Sequence, residues 1–121
     1  GKSIRDFLYV EDVAELYMII AMSLYNSNEL KGEVFNAGTN DGKTVRDIVE
    51  RIYSKIDNQT ELDRIINLFN KNKDLIGEIN SQVMHYTKLE KYFGWKPKTE
   101  FNKGLLQTIE WYKTYLKNIK Y

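Results

Sequence analysis

Residues 4–17 read IRDFLYVEDVAELY, and the change of rhythm inside that stretch sets the architecture. Ile4 to Val10 concentrate branched and aromatic side chains, the composition of a short strand. From Glu11 to Tyr25 the apolar residues shift to helical spacing, with Val13, Leu16, Tyr17, Ile20 and Leu24 on one stripe. Glu11, Asp12 and Glu15 favour the positive N-terminal end of that helix. Arg5 and Asp6 lie directly against the apolar run, whereas most domains begin with a ragged polar lead-in. The stretch is therefore expected to sit inside a longer protein.

Working outward, GEVFNAG (32–38) reads as a second strand, closed by the turn signal TNDG. Thr44 with Asp47 has the spacing of a capping box, and Val45, Ile48, Val49, Ile52 and Ile56 continue as the apolar face of a second helix. Residues 58–80 leave two readings open. TELDRIINLF could supply helical turns, and DLIGEIN either a strand or an irregular extended run. TKLEKYFG (87–94) pairs Thr87 with Glu90 at capping spacing and ends on Gly94, a helix stop. Pro97 keeps the preceding residues extended. A last helix over 102–117 carries Leu105, Leu106, Ile109, Trp111, Tyr112 and Leu116. The expected fold class is α/β: a small, helix-rich lobe with a few short strands, too few to stand without a larger sheet or helices covering them.

A length of 121 residues fits one domain, spanning 1–121. The 42% hydrophobic and 29% charged composition is that of a soluble globular chain. With 18 basic and 17 acidic side chains there is no concentrated positive field, so neither a nucleic-acid nor a membrane partner is expected. The longest apolar stretch, Leu16 to Tyr25, is about half of a membrane span. Residue 1 onward lacks a basic region feeding an apolar segment, as a secretory leader would have. No cysteine is present, which removes disulfides, thiolate metal sites and thiol nucleophiles and fits a reducing, cytoplasmic setting.

Catalytic motifs are missing. There is no GxGxxG dinucleotide turn, no P-loop and no GxSxG elbow. His85 is the only histidine, so no histidine-based metal cluster can form, and a lone histidine reads as a surface residue. Tyr92 and Lys96 have proton-relay spacing, but Gly94 and Pro97 end the helix between them. Tyr112 and Lys113, with Trp111, read as a helix packed at the core edge. Arg5 is the exception. An arginine beside a strand and a helix start can grip a phosphate through its planar fork, or else pair with Asp6, Asp12 or another carboxylate. Asp12 reads as scaffold, accepting bonds from amides of the first helical turn.

RDFLYVEDVA (5–14), GEVFNAG (32–38), TVRDIV (44–49), KLEKYFGWKP (88–97) and GLLQTIEWYK (104–113) occur in an order and spacing that resembles a known group. It is the C-terminal portion of extended short-chain dehydrogenases acting on nucleotide-sugars, the NAD-dependent epimerases and 4,6-dehydratases. GEINSQ (77–82) looks most like the CDP-glucose 4,6-dehydratase-like subgroup. The resemblance implies a two-lobed enzyme. Its N-terminal Rossmann lobe, absent here, would hold NAD and the catalytic tyrosine and lysine, and the C-terminal lobe would close over a nucleotide-diphosphate sugar. Hydride would leave C4 of the sugar for NAD, and return after epimerisation or dehydration.

For this chain the resemblance implies no catalytic residue, no metal and no cofactor contact of its own. It implies two substrate-binding positions: Arg5, matching an arginine that contacts the diphosphate, and Glu78, matching an acid that contacts the nucleotide. Two further phosphate-contact positions of relatives are occupied by Leu75 and Val45. Phosphate contacts from this lobe are accordingly expected to be thinner, which counts against a dTDP-glucose dehydratase or a UDP-galactose epimerase. Gly94, Trp95 and Pro97 read as architecture. The rival expectation is a stand-alone, non-catalytic interaction module or truncated-gene product, its bare apolar face covered by a partner or by a second copy as a homo-oligomer.

Overall fold

The computed structural model describes residues 1–71 and 77–119. Strand β1 (Ile4–Asp6) leads into helix α1 (Val10–Asn26), followed by β2 (Gly42–Thr44), α2 (Val45–Ile56) and α3 (Gln59–Lys71). Then come β3 (Ser81–Gln82), α4 (Thr87–Phe93) and α5 (Phe101–Asn118). The architecture is α/β, as expected, and β1 is the middle strand. It pairs antiparallel with β2, Arg5 opposite Lys43, and parallel with β3, Arg5 opposite Gln82. No helix is long and apolar enough to cross a membrane, among the described residues.

Several boundaries differ from the sequence reading, each for a local reason. The expected strand over 4–10 stops at Asp6, because Phe7 turns its ring edge toward Phe101 at 6.3 Å and Tyr9 becomes the N-cap of α1. GEVFNAG is not a strand. Phe35 instead packs at 5.6 Å from Tyr92 and 5.2 Å from Phe93 of α4, and Lys88 Nζ donates to the Val34 carbonyl at 2.8 Å. The ladder beside β1 is taken by Gly42–Thr44, which begins on the last residue of the expected turn. Of the open stretch, Gln59–Lys71 is helical and residues 77–80 run irregularly into β3; Asp74 to Ile76 of DLIGEIN lie outside the described residues.

The two capping patterns part ways. At α2 the full box forms: Asp47 N–H donates to Thr44 Oγ1 at 3.0 Å, and Thr44 N–H donates to the Asp47 carboxylate at 3.2 Å. At α4 the Thr87–Glu90 box does not form. Tyr86 is the N-cap and its carbonyl already takes the Glu90 amide at 3.0 Å, so Thr87 is inside the helix. Gly94 ends α4 in the left-handed region at φ 64°, as its position after Phe93 predicted.

The core is small: Leu16 of α1, Leu89 of α4 and Trp95 are buried, with Leu8, Ile19, Ile20, Phe35, Ala37, Tyr86 and Phe93 packed around them. The apolar stripes predicted for α1 and α5 are buried only in part. Tyr17 is 70% exposed and Leu24 is also exposed, because the neighbours reach α1 only along the Leu16–Ile20 side. On α5, Gly104 and Ile109 are buried, while Leu106, Trp111, Tyr112 and Leu116 are exposed. Trp111 and Tyr112, expected at the core edge, instead pack with α5's own rings: Trp111 stacks on Tyr115 at 4.8 Å and meets Tyr112 edge-on at 4.9 Å.

Two carboxylates tie distant segments to this frame. Asp6 accepts from the Thr39 amide at 2.9 Å, from the Thr39 hydroxyl, from the Asn40 amide at 3.3 Å and from the Met84 amide at 3.1 Å. Gly38 makes room for this: an added Cβ would collide with the Asp6 carboxylate and lie 2.5 Å from the Met84 carbonyl oxygen. Asp12, buried, does not bond its own first turn. It accepts from the Lys98 and Thr99 amides at 3.1 and 2.9 Å and from the Thr99 hydroxyl at 3.0 Å. The extended backbone after Pro97 has no ladder partner for those amides, so a carboxylate takes them.

Removing Asp6 strands several part-buried donors at once. Asp6→Ala is expected to cost about 2–4 kcal/mol in urea unfolding, whereas Asp41→Ala, which loses only an exposed ion pair to Lys43, should stay within about 0.5 kcal/mol. Equal losses would refute the tie.

The capping box predicts a pH effect. Hydrogen bonds from the Thr44 hydroxyl and amide hold the Asp47 carboxyl below its ordinary value. A depressed folded-state value adds stability that is full above the unfolded-chain value of about 3.9 and fades as pH falls through the lower folded one. Asp47→Asn should therefore flatten the acid limb of the stability curve, measured by urea midpoints between about pH 5 and about pH 2.

Candidate functional site: Arg5 on the central strand and Glu78 beside it

Alternation along β1 sends consecutive side chains to opposite faces. Asp6 goes to the 39–40 turn and Met84, and Arg5 goes the other way, toward residues 78–79. Arg5 Nη1 donates to the Ile4 carbonyl at 2.7 Å and to the Ile79 carbonyl at 2.8 Å. Both hydrogens of that nitrogen are thus engaged with backbone, and the guanidinium is held in a fixed plane. Among the described residues, Nε–H and the Nη2 group have no hydrogen-bond acceptor.

The structure brings the two sequence-predicted positions together. Glu78 Oε1 lies 3.6 Å from Arg5 Nη2, with the side chains 38% and 29% exposed. Arg5 does not pair with Asp6 or Asp12, whose oxygens serve the scaffold. The sequence reading missed Ser3, whose hydroxyl donates to Glu78 Oε1 at 2.7 Å. Seventy-five positions separate the two, and a lone serine before a strand carries no signal of that contact. Val45 is the first residue of α2, half-buried, with its amide on the Ser3 carbonyl at 3.1 Å, and it offers no side-chain donor. Leu75 lies outside the described residues.

The other candidates stay apart. Tyr92 is on α4, and the left-handed Gly94 separates it from Lys96, so they do not share a helical face. His85 is exposed on the connection from β3 to α4. No group of three or more histidine or acidic side chains could hold a metal ion, among the described residues. A separate apolar groove of about 590 Å³ runs between residues 7–11 and α5, walled by Phe7, Tyr9, Phe101, Trp111 and Tyr112.

The described residues do not fit NAD. A dinucleotide's pyrophosphate needs a glycine-rich turn opening a helix. Here α1, α2 and α5 open on Tyr9, Thr44 and Glu100, the last accepting from the Lys103 amide, and Gly94 closes a helix.

Known proteins place this geometry in a family. The family model described as GDP-mannose 4,6 dehydratase matches residues 1–108. A probable dTDP-glucose 4,6-dehydratase of Sinorhizobium fredii is 32% identical over 93% of the chain and 31% of its own length. The human dTDP-D-glucose 4,6-dehydratase is 26% identical over 99% of the chain and 33% of its own length. Among solved structures, the Bordetella bronchiseptica enzyme WbmG in complex with NAD shares the fold, with a TM-score of 0.68 at 22% identity over 94% of this chain and 33% of that one. The chain spans about a third of the length of the curated relatives it matches. These two and six further curated relatives are dTDP-glucose 4,6-dehydratases, the group that Leu75 and Val45 were expected to count against. The chain belongs to the GDP-mannose 4,6 dehydratase family, within the epimerase/dehydratase group of extended short-chain dehydrogenases.

Proposed function

We propose that this chain is the nucleotide-sugar-binding part of an NAD-dependent epimerase or 4,6-dehydratase, and that Arg5 grips the substrate's diphosphate. The observation that carries the reading is the state of Arg5: one nitrogen is clamped to two carbonyls, and the Nε–Nη2 edge faces away from them. A fixed guanidinium presenting two parallel N–H groups suits bidentate recognition of a phosphate. Its rigidity lowers the conformational cost of each bond formed. Glu78 belongs to the same site. On this reading cofactor binding and hydride chemistry belong to the remaining two-thirds of the enzyme.

In such an enzyme Arg5 contributes equally to ground-state and transition-state binding, because the diphosphate does not react. A second reading, the stand-alone interaction module, draws on the apolar side of α1, where Tyr17, Met18, Met22 and Tyr25 are all exposed. A dimer mass in sedimentation equilibrium that Met18→Glu abolishes would favour that reading.

Titration of the 121-residue chain with UDP-glucose and with inorganic pyrophosphate, followed by amide NMR shifts, tests the grip. Arg5→Ala should weaken both about tenfold or more. NAD at millimolar concentration should give no saturable shift. In the intact enzyme the same substitution should raise KM while kcat holds. Unchanged binding in Arg5→Ala would refute the assignment.

A further inference from the structure

We infer that Glu78 is a built-in counter-ion for Arg5 that an incoming diphosphate must displace, so that it sets the site's affinity threshold for anions. This rests on the diphosphate reading of Arg5 and gives Glu78 its role there. Three contacts carry it. First, Arg5 cannot retreat from its place, because Nη1 is bonded to two backbone carbonyls, at 2.7 and 2.8 Å. Second, among the described residues Glu78 is the acid beside the remaining edge, and its oxygen stands 3.6 Å from Nη2, close enough for Coulombic attraction and too far for a hydrogen bond. Third, Ser3 donates to that same oxygen at 2.7 Å, a bond that competes with the guanidinium for it.

The carboxylate is thus parked short of a bidentate pair. A salt bridge with both N–H groups engaged would close the site to phosphate, because charge-assisted forks are the strong ones. A carboxylate held at 3.6 Å offsets the charge of Arg5 when no ligand is present but, among the described residues, leaves the fork's donors open. A ligand with a single weak negative charge gains little over this resident carboxylate. A diphosphate, with more charge and oxygens at fork spacing, outcompetes it. Glu78 moves rather than Arg5, since its side chain is held by one serine bond, whereas Arg5 is bonded to two backbone carbonyls.

The sign of the effect distinguishes a counter-ion from a substrate ligand. Exposed pairs of this kind are weak, so removing the charge should produce a modest gain. In pyrophosphate titrations of the whole chain, Glu78→Gln should tighten binding about twofold to fivefold. Ser3→Ala, which frees Glu78 to close on Arg5, should weaken binding by a similar factor. In an Arg5→Ala background Glu78→Gln should change nothing, and the gain should shrink as salt rises. Circular dichroism of each variant checks that the fold is kept. Weaker or unchanged binding in Glu78→Gln, with Arg5→Ala still losing pyrophosphate, overturns the counter-ion role and leaves the diphosphate reading standing. A gain that persists without Arg5 also overturns it, as a mere change in surface charge. Binding that ignores Arg5 altogether overturns the diphosphate reading, and the counter-ion role with it.

Discussion

The carboxylate of Asp6 holds the middle strand to two segments that lie 33 and 78 positions further along the chain. A three-residue strand with a two-residue neighbour has too few ladder bonds to define a sheet. Bonds from the Thr39, Asn40 and Met84 amides to one charged acceptor supply the missing definition, and they are stronger than neutral ladder bonds. Gly38 must lack a side chain for that convergence to be possible. Arg5 inherits its direction from the same constraint: with Asp6 committed to one face of β1, the pleat sends Arg5 to the other, toward Ile79 and Glu78.

Asp12 repeats the device in the first turn of α1, where it collects the amides that Pro97 leaves in extended backbone. The two aspartates of RD and ED therefore do related work, tying loops to the strand–helix unit, and Arg5, which precedes both, is the residue left over for a ligand. Outside these ties the molecule is loosely covered. Leu16, Leu89 and Trp95 make a compact core, but α1 and α5 turn aromatic and methionine side chains outward. Such surfaces are costly in water unless something covers them, which is consistent with a chain spanning about a third of its relatives' length.

Much of the secondary structure was legible because it depends on near neighbours. The strand-to-helix switch after Arg5, the Thr44–Asp47 box, the Gly94 stop and the last helix all follow from residues within one or two turns of each other. The failures share a cause. GEVFNAG has strand composition, yet what placed it was the fit of Phe35 against Tyr92 and Phe93, nearly sixty positions away. Thr87–Glu90 has capping spacing, yet the helix starts one residue earlier and the spacing goes unused. Periodicity marked Tyr17, Trp111 and Tyr112 as core, but it cannot say whether a neighbour is present to bury them.

For the site, residue chemistry singled out Arg5 and resemblance added Glu78, while neither indicated that the two meet. By itself the sequence determined the α/β class, the absence of cysteine and of a GxGxxG turn, and an arginine on the strand that precedes α1. Those follow from composition and from spacing along a single element. Only the tertiary structure decided which carboxylate faces Arg5, because Asp6 and Asp12 were nearer in sequence but had their oxygens taken by distant amides. It also decided that Ser3 holds Glu78, a contact between residues 75 positions apart that exists because β1 and β3 run side by side.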